Sequence, residues 1–464
     1  MIHAYLLLRL SCYPDIARHG SAVVDRDGES CFRRPVLGLE DIVAAEARGA
    51  WDLALRGYQQ LLVDHPEDHR LLANAGQASW YLDCPREAML CYRQALALQP
   101  CDPLPWLGLA NALRDLNRFE QADAAYRRSW QLASEPITAW NHSQLLIGLE
   151  CYPQAYALAE QRLLLPQLEP YRRGVHGGAI SASAHERLYV WSEQGFGDGL
   201  QYLRWCVPLS EAGPALTLEL DTPLVSLVRE GLAWLARPPE VVPQTGTPPP
   251  LPAAAGHASL LSLPHHCGGA PLSNVFQPAE PPGHWHGYLR SPSWPRRPPG
   301  VRPRVGLVWA AGRKLEDPFA AREYRKRTLP PQALRDLILG LRHLEAELVA
   351  LQIGPDHNLA TPWRELLVDE LPQNADFALT ARWIHQLDLL ISVDTAAAHL
   401  AGALGHPCWI LLPYSADPRW LRARSDSPWY PSLRLFRQPS TGQWQPVIAQ
   451  VLEAFSPWWR STSG

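Results

Sequence analysis

Several things are scarce in this sequence, and each scarcity removes a class of protein. No run of apolar residues approaches the roughly 18 needed to cross a bilayer as a helix, so no transmembrane segment is expected. The opening MIHAYLLLRLSCYP is apolar but short, Arg9 interrupts it and no basic stretch precedes it, which argues against a signal peptide. Nine cysteines (Cys12, Cys31, Cys84, Cys91, Cys101, Cys151, Cys206, Cys267, Cys408) are odd in number and scattered without a C-x-x-C pair. Neither a disulfide framework nor a zinc site is expected, and the reducing cytoplasm is the natural compartment. An excess of cations is also missing: 42 Lys+Arg against 46 Asp+Glu leave a net charge of -4. That balance excludes the overall basic field that drives nonspecific nucleic-acid binding, so any anion site must be a local cluster.

What is present is a chain of 464 residues with 47% hydrophobic and 19% charged residues, enough for about three folded domains. Proline is abundant, 45 against 2 Met, which predicts at least one irregular stretch. Helical periodicity begins near residue 38, and comparison of the sequence with itself at a shift of 34 aligns Ala54, Ala88 and Ala122, then Tyr58, Tyr92 and Tyr126, then Pro66, Pro100 and Ser134. Gly76 falls on Ala110 and Trp106 on Trp140. Small residues let antiparallel helices approach, the aromatic fills the hole between neighbouring pairs, and proline ends the second helix. This spacing resembles the tetratricopeptide repeat and predicts three phased repeats and a degraded fourth, with a surface that binds a protein partner or another domain and does no chemistry itself.

After residue 180 short apolar runs alternate with amphipathic stretches, the pattern of parallel-sheet α/β domains. Strands are expected at 188–191, 216–220 and 260–263, with a helix over 199–209. The proline-dense text from 237 to 303 is expected to hold loops, strand ends and a linker. A second series follows, with strands at 305–309, 347–352, 389–393 and 408–412 and helices at 331–342 and 443–455. The expected organisation is a leader of uncertain structure at 1–37, repeats at 38–170, a first Rossmann-like half at 180–300 and a second at 301–464. Two such halves would take a ligand between the carboxyl ends of their sheets, the GT-B arrangement, although a fold alone decides no function.

Three segments carry candidate chemistry. In W-S-E-Q-G-F-G-D-G-L-Q (191–201) a strand runs through a glycine turn into a helix. Gly195, Gly197 and Gly199 would permit left-handed dihedrals and close backbone approach to a ligand, but their spacing does not match the dinucleotide fingerprint of an oxidoreductase. Asp198 fits two roles equally, a proton acceptor at the cleft rim or an N-cap of the helix. Glu193 is the reserve carboxylate. In V-D-T-A-A-A-H-L-A-G (393–402) a strand ends in Asp394 and Thr395 and a helix of small residues starts at once. Ala396, Ala397 and Ala398 would let a diphosphate reach the helix amides with His399 beside it, or are small for packing, with His399 a satisfied core residue. The run 321–327 holds four cations and one anion, either a solvated basic loop or a phosphate clamp facing the cleft, with Lys326, Arg327 and Thr328 its donor-binding candidates. The histidines at 265, 266, 284 and 286 lie in a proline-rich loop without four-ligand spacing, so no metal and no bound cofactor are expected.

With these residues in view, the chain resembles bacterial tetratricopeptide-repeat proteins whose C-terminal region is similar to the ADP-heptose heptosyltransferase family of GT-B glycosyltransferases. W-S-E-Q-G-F-G-D (191–198), V-G-L-V-W-A (305–310), R-K-R-T-L-P (325–330), V-D-T-A-A-A-H-L-A-G-A-L-G-H-P-C-W (393–409) and D-S-P-W-Y-P-S-L-R-L-F-R (426–437) carry the likeness. The resemblance implies metal-independent, inverting sugar transfer from a nucleotide-diphosphate donor. By position it implies Asp198 as the acceptor base, Lys326 and Arg327 near the donor phosphates, and Asp394, Thr395, Ala396 and His399 in the donor loop. Gly199 stands where the family has a bulkier residue, and the repeats make a glycan or protein acceptor more natural than a lipopolysaccharide. The competing expectation is a non-catalytic repeat scaffold with a degenerate transferase-like region.

Overall fold

The computed structural model describes residues 37–166, 168, 186–245, 256–269, 275–279, 284–294, 297, 300 and 302–462. Apart from Leu37, the leader expected at 1–37 lies outside the described residues. The chain divides into two compact units, one holding the segment up to Leu145 together with Arg313–Arg325, the other Leu146–Gly312 together with Lys326–Gly464.

The first unit is a stack of helical hairpins: α1 (Leu39–Ala47) with α2 (Trp51–Asp64), α3 (His69–Tyr81) with α4 (Pro85–Leu98), and α5 (Pro103–Asp115) with α6 (Phe119–Leu132), followed by α7 (Pro136–Gly148). The repeat is written in the turns as well as in the core. Gly49, Asp83 and Asn117 all take positive φ (70°, 60° and 56°) and close successive hairpins at the same repeat position. Asp68 and Asp102 cap α3 and α5, each carboxylate accepting from an amide two residues on. Ala54, Ala88 and Ala122 are fully buried beside Tyr58, Tyr92 and Tyr126. The Tyr92 ring lies where a side chain on Gly76 or on Gly108 would be, 3.1 and 2.2 Å from their notional Cβ atoms, so the tyrosine fills the gap between one hairpin and the next as expected.

The second unit begins with α8 (Tyr152–Ala159) and holds two parallel sheets. The first has the order β3-β2-β1-β4, from β1 (Arg187–Trp191), β2 (Ala215–Leu220), β3 (Glu240–Pro243) and β4 (Gly256–Ser259). Its helices are α9 (Phe196–Tyr202), α10 (Cys206–Ala212), α11 (Thr222–Gly231) and the short α12 (Leu263–His266), and a hairpin of β5 (Gln277–Ala279) and β6 (His284–His286) follows. After β7 (Arg304–Val308) come α13 (Pro318–Arg327), α14 (Pro331–His343), β8 (Glu347–Ala350), β9 (Leu367–Val368), α15 (Phe377–His385), β10 (Leu389–Val393), α16 (Ala396–Leu404), β11 (Cys408–Leu412), β12 (Leu433–Arg437) and α17 (Gln445–Thr462). This second sheet runs β12-β11-β10-β7-β8-β9. Strands β7, β10 and β11 are buried end to end or nearly so, which explains the unbroken apolar text. The class expected from the sequence, helical repeats followed by two Rossmann-like halves, is the class observed. In both halves the first strand has a neighbour on each side, so the strand order reverses at β1/β4 and at β7/β10, where parallel sheets open a crevice at their carboxyl ends.

Three differences from expectation have physical reasons. The strand expected at 260–263 is β4, four residues earlier, and Leu260–Ser262 is a turn of 3-10 helix. The proline-dense stretch contains β3 as well, an edge strand whose Pro243 is tolerated because it has a partner on only one side. The basic run is not a loop: Pro318–Arg327 is helix α13, and most of it packs with the hairpin unit.

Candidate active site

The loops leaving β1 and β10 converge. Gly195 is the N-cap of α9 at an ordinary φ of -73°, and none of Gly195, Gly197 and Gly199 takes a positive φ, so the left-handed turn expected there is absent. Their requirement is space. A Cβ on Gly197 would sit 2.9 Å from His399 Cδ2 and 3.7 Å from Ala396 Cα, so the first turn of α9 lies directly against the first turn of α16. A Cβ on Gly199 would meet Leu224 at 3.1 Å.

Asp198 is the third residue of α9 and does not cap it. Its carboxylate accepts from Arg419 Nη2 at 2.7 Å. Arg419 stands on the 3-10 turn Pro418–Trp420 after β11, donates from Nη1 to Gln201 Oε1 at 2.8 Å and from Nε to Asp417 Oδ1 at 2.9 Å. Burial alone would lower the Arg419 pKa, yet Asp417 and Asp198 hold the guanidinium protonated well above its usual value. Burial would likewise raise Asp417, but Arg419 outweighs it and keeps that carboxyl far below the ordinary range.

On the β10 side Asp394 is buried, and desolvation pushes its pKa up while Arg327, with Nη1 3.7 Å from Oδ2, pulls it back. Arg327 also donates to the Asp394 carbonyl at 3.3 Å. Thr395 is the N-cap of α16, with its hydroxyl 3.0 Å from Ser392 Oγ rather than on the helix amides. Thr395, Ala396 and Ala397 are half-buried and Ala398 is fully buried, so two of the three alanines border the crevice and the third packs inside. His399 is buried, with Nδ1 2.9 Å from Tyr430 Oη, its ring stacked on Trp420 and Nε2 3.9 Å from Asp394 Oδ1. Burial, reinforced by the Arg419 charge, drives its pKa well below the usual histidine value, so the ring is neutral.

The other candidates lie elsewhere or act indirectly. Lys326 is buried at the end of α13, and Thr328 Oγ1 accepts from the Ala311 amide at 3.3 Å, which ties down the loop after β7. Glu193 does not reach the crevice: its side chain has no exposure and accepts from Arg162 Nε at 2.5 Å. Arg322 and Arg325 also leave the expected clamp. Arg322 is buried in the hairpin unit, with Nη2 on Asp115 at 2.5 Å and on Asp83 at 2.9 Å, and Arg325 donates to the Tyr81 carbonyl. Among the described residues no group of three or more His, Cys, Asp or Glu is arranged to hold a metal ion, and no helix is long and apolar enough to cross a membrane.

Sequence reading missed Arg419 and Asp417; among the tryptophans near the end, which read as a sugar platform or as core, Trp420 is buried and stacked on His399. The signal available was D-P-R-W at 417–420, an aspartate before a proline turn that presents one cation. Behind them Arg204 donates to the Trp429 carbonyl and lies 4.7 Å from the centre of the Tyr430 ring, so the wall carrying His399 rests on a buried guanidinium.

No family model matches the chain. Protein FlbA of Caulobacter vibrioides is 27% identical over 415 residues, covering 83% of this chain and 65% of its own length, so the chain spans just under two thirds of that curated relative. Among solved structures, a Thermobaculum terrenum O-GlcNAc transferase mutant is 15% identical, covers 91% of this chain and 92% of its own, and superposes with a TM-score of 0.30. A tetratricopeptide-repeat protein of Thermus thermophilus is 20% identical and covers 29% of this chain and 75% of its own at 0.27. A crystal structure of MamA is 15% identical, covering 30% and 80% at 0.26. Superpositions this loose define no shared fold, and the architecture rests on the chain's own helices and sheets.

Proposed function

We propose that the α/β unit is a GT-B type glycosyltransferase that moves a sugar from a nucleoside-diphosphate donor to a hydroxyl acceptor without a bound metal, and that the helical repeats recruit a protein or glycan acceptor. The observation that carries this is the meeting of two loops at the carboxyl ends of two parallel sheets. One brings a carboxylate, Asp198, and the other brings the start of α16, and the two first turns pack so closely that a Cβ added to Gly197 would lie 2.9 Å from His399 Cδ2. Further support comes from the residue-level likeness to heptosyltransferases at 191–198 and 393–409.

In this reading the diphosphate rests on the α16 loop at Thr395, Ala396 and Ala397, beside Arg327 and His399, where helix amides and the Arg327 guanidinium offset the charge that grows on the leaving group. Asp198 takes the proton of the acceptor hydroxyl as its oxygen bonds to the anomeric carbon. The bond from that carbon to the diphosphate oxygen breaks, and the nucleoside diphosphate leaves with the electron pair. One carboxylate on one face of the sugar and the leaving group on the other give inversion.

The test uses the full chain. Calorimetric titration with ADP, GDP and UDP and their sugar conjugates identifies the donor, and transfer is then measured with and without chelator. Asp198→Asn should lower transfer by about 10² to 10⁴ with the fold intact. Near-normal turnover in that variant removes Asp198 as the base, loss of activity with chelator removes the metal-free mechanism, and no binding of any nucleotide leaves the repeats as the working part of a scaffold.

A further inference from the structure

Asp198 has a property that a proton acceptor should not have: it is already paired with a guanidinium at 2.7 Å. A carboxylate oxygen that already accepts a charge-assisted hydrogen bond from a guanidinium has that lone pair occupied and is not free to receive an acceptor's proton. Arg419 is held differently on its two sides. At the Nε end Asp417, two residues back on the same turn, accepts both from Nε at 2.9 Å and from the Arg419 amide at 3.0 Å. At the fork end the two Nη atoms reach across to α9, one to Gln201 and one to Asp198. The stem is therefore fixed by its own turn, and the fork is the part able to swing.

The α16 loop lies beside this fork. Trp420, next in sequence, stacks on His399 with ring centres 5.1 Å apart, which anchors the backbone of the turn against α16. The charges of Arg419 and Arg327 both act on the His399 ring, and both act on Asp394 and Asp417, so one small region holds two guanidiniums and three carboxylates. A diphosphate arriving there carries more negative charge than Asp198 and offers a bidentate partner to the same fork.

We propose that Arg419 is an exchange clamp: it pairs with Asp198 in the empty site, transfers its fork to the diphosphate when the donor binds, and thereby releases Asp198 to act as base only after the donor is in place. This rests on the donor site proposed above. It makes Arg419 a positioning residue for Asp198 as well as a ligand of the donor, and it imposes an order, donor before proton removal. Early deprotonation of an acceptor, or attack by water on an unaccompanied donor, is disfavoured by the same contact.

Binding alone tests it, because exchange makes Asp198 a competitor of the diphosphate. Inorganic pyrophosphate, ADP, GDP and UDP are titrated into the wild-type chain, Asp198→Asn, Arg419→Gln, Arg419→Lys and the Asp198→Asn/Arg419→Gln double variant, with thermal unfolding as the check on folding. Asp198→Asn should bind pyrophosphate and the preferred nucleotide about three- to tenfold more tightly than wild type, and Arg419→Gln about tenfold more weakly. Arg419→Lys, which keeps the charge and loses the fork, should fall between. In the Arg419→Gln background the Asp198→Asn gain should vanish. Unchanged or weaker binding by Asp198→Asn overturns the exchange while the donor site stands. A gain that persists without Arg419 also overturns it, since removal of a nearby negative charge then explains the effect. If the folded wild-type chain binds none of the four probes, the donor site itself is wrong and the exchange falls with it.

Discussion

Arg322 and Arg419 make the same point about single residues: an arginine's role is set by what the fold brings to its fork. Lysine occurs only twice in the sequence, at 314 and 326, so almost every cation here has a planar, five-donor head. In the run 321–327 local text suggested one basic surface, yet Asp83 and Asp115, more than two hundred positions away, take Arg322 out of solvent, while Arg327 goes to Asp394. Spacing along a chain cannot reveal such partners. Arg322 also stacks on Trp80, whose indole donates to the same Asp115 oxygen at 2.8 Å, so three groups share one buried charge. Arg322→Ala would remove the cation hydrogen-bonded to Asp115, 6% exposed, leaving Arg114 at 3.8 Å as the remaining one the contacts give, and should cost about 3 kcal/mol, read as a lowered melting temperature. Arg424→Ala, removing an exposed pair with Asp426, should cost about 1 kcal/mol or less. Equal losses for the two would mean that Arg322 is not the buried hub the contacts describe.

At the level of elements, what was legible followed from periodicity. The strands at 389–393 and 408–412 were readable to the residue because both faces of a central parallel strand are buried and the text is apolar throughout. The hairpin repeat was readable because its alanines and tyrosines recur, and α16 because a strand ending in a short polar turn precedes it; the single helix expected over 199–209 is instead α9, which starts at Phe196, a 3-10 turn at Leu203–Trp205 and α10. Proline hid the rest. The stretch 284–294 reads as a linker, but it closes the far end of α16: the Trp285 amide donates to the Gly405 carbonyl at 3.1 Å and the Leu289 amide to Ala403 at 3.1 Å, satisfying carbonyls that the end of α16 leaves unpaired. The crossing is so close that a Cβ on Gly287 would lie 2.0 Å from the Ala403 carbonyl oxygen, a backbone atom with nowhere to go. Gly287→Ala should therefore cost about 3 kcal/mol or more, while Gly312→Ala, with open space around it, should be near neutral by chemical unfolding. A tolerated Gly287→Ala would show that the segment shifts freely off α16 and that the helix does not depend on it.

For the molecule as a whole the charge is close to balanced, so its response to acid is decided by groups the fold has moved from their ordinary pKa. His399, His266 and His142 are moved in the same direction. Burial lowers His399, lowers His266, and lowers His142 even though Asp123 lies 2.6 Å from its ring and opposes the shift. The sign follows from proton counting. Below the unfolded value of about 6.5 the unfolded chain takes up a proton at each of these rings and the folded chain does not, so stability present above that pH is lost as pH falls, by up to about 1.4 kcal/mol per pH unit for each histidine until its folded pKa is reached. Glu46, Asp388 and Asp394 act in the opposite sense, because burial raises them and protonation relieves the folded state. Below about pH 4 the loss resumes as Asp417, held low by Arg419, is forced to take a proton. His399 can be separated from the rest by substitution: His399→Asn removes one titrating ring and leaves the others. Melting temperatures measured at intervals from pH 7.5 to 5.5 should fall less steeply for His399→Asn than for wild type, whatever its absolute stability. Parallel curves would mean that His399 binds its proton in the folded chain as readily as in the unfolded one, that its ring is therefore charged at mild acidity, and that the neutral wall between Asp394 and Tyr430 beside the proposed donor loop does not exist.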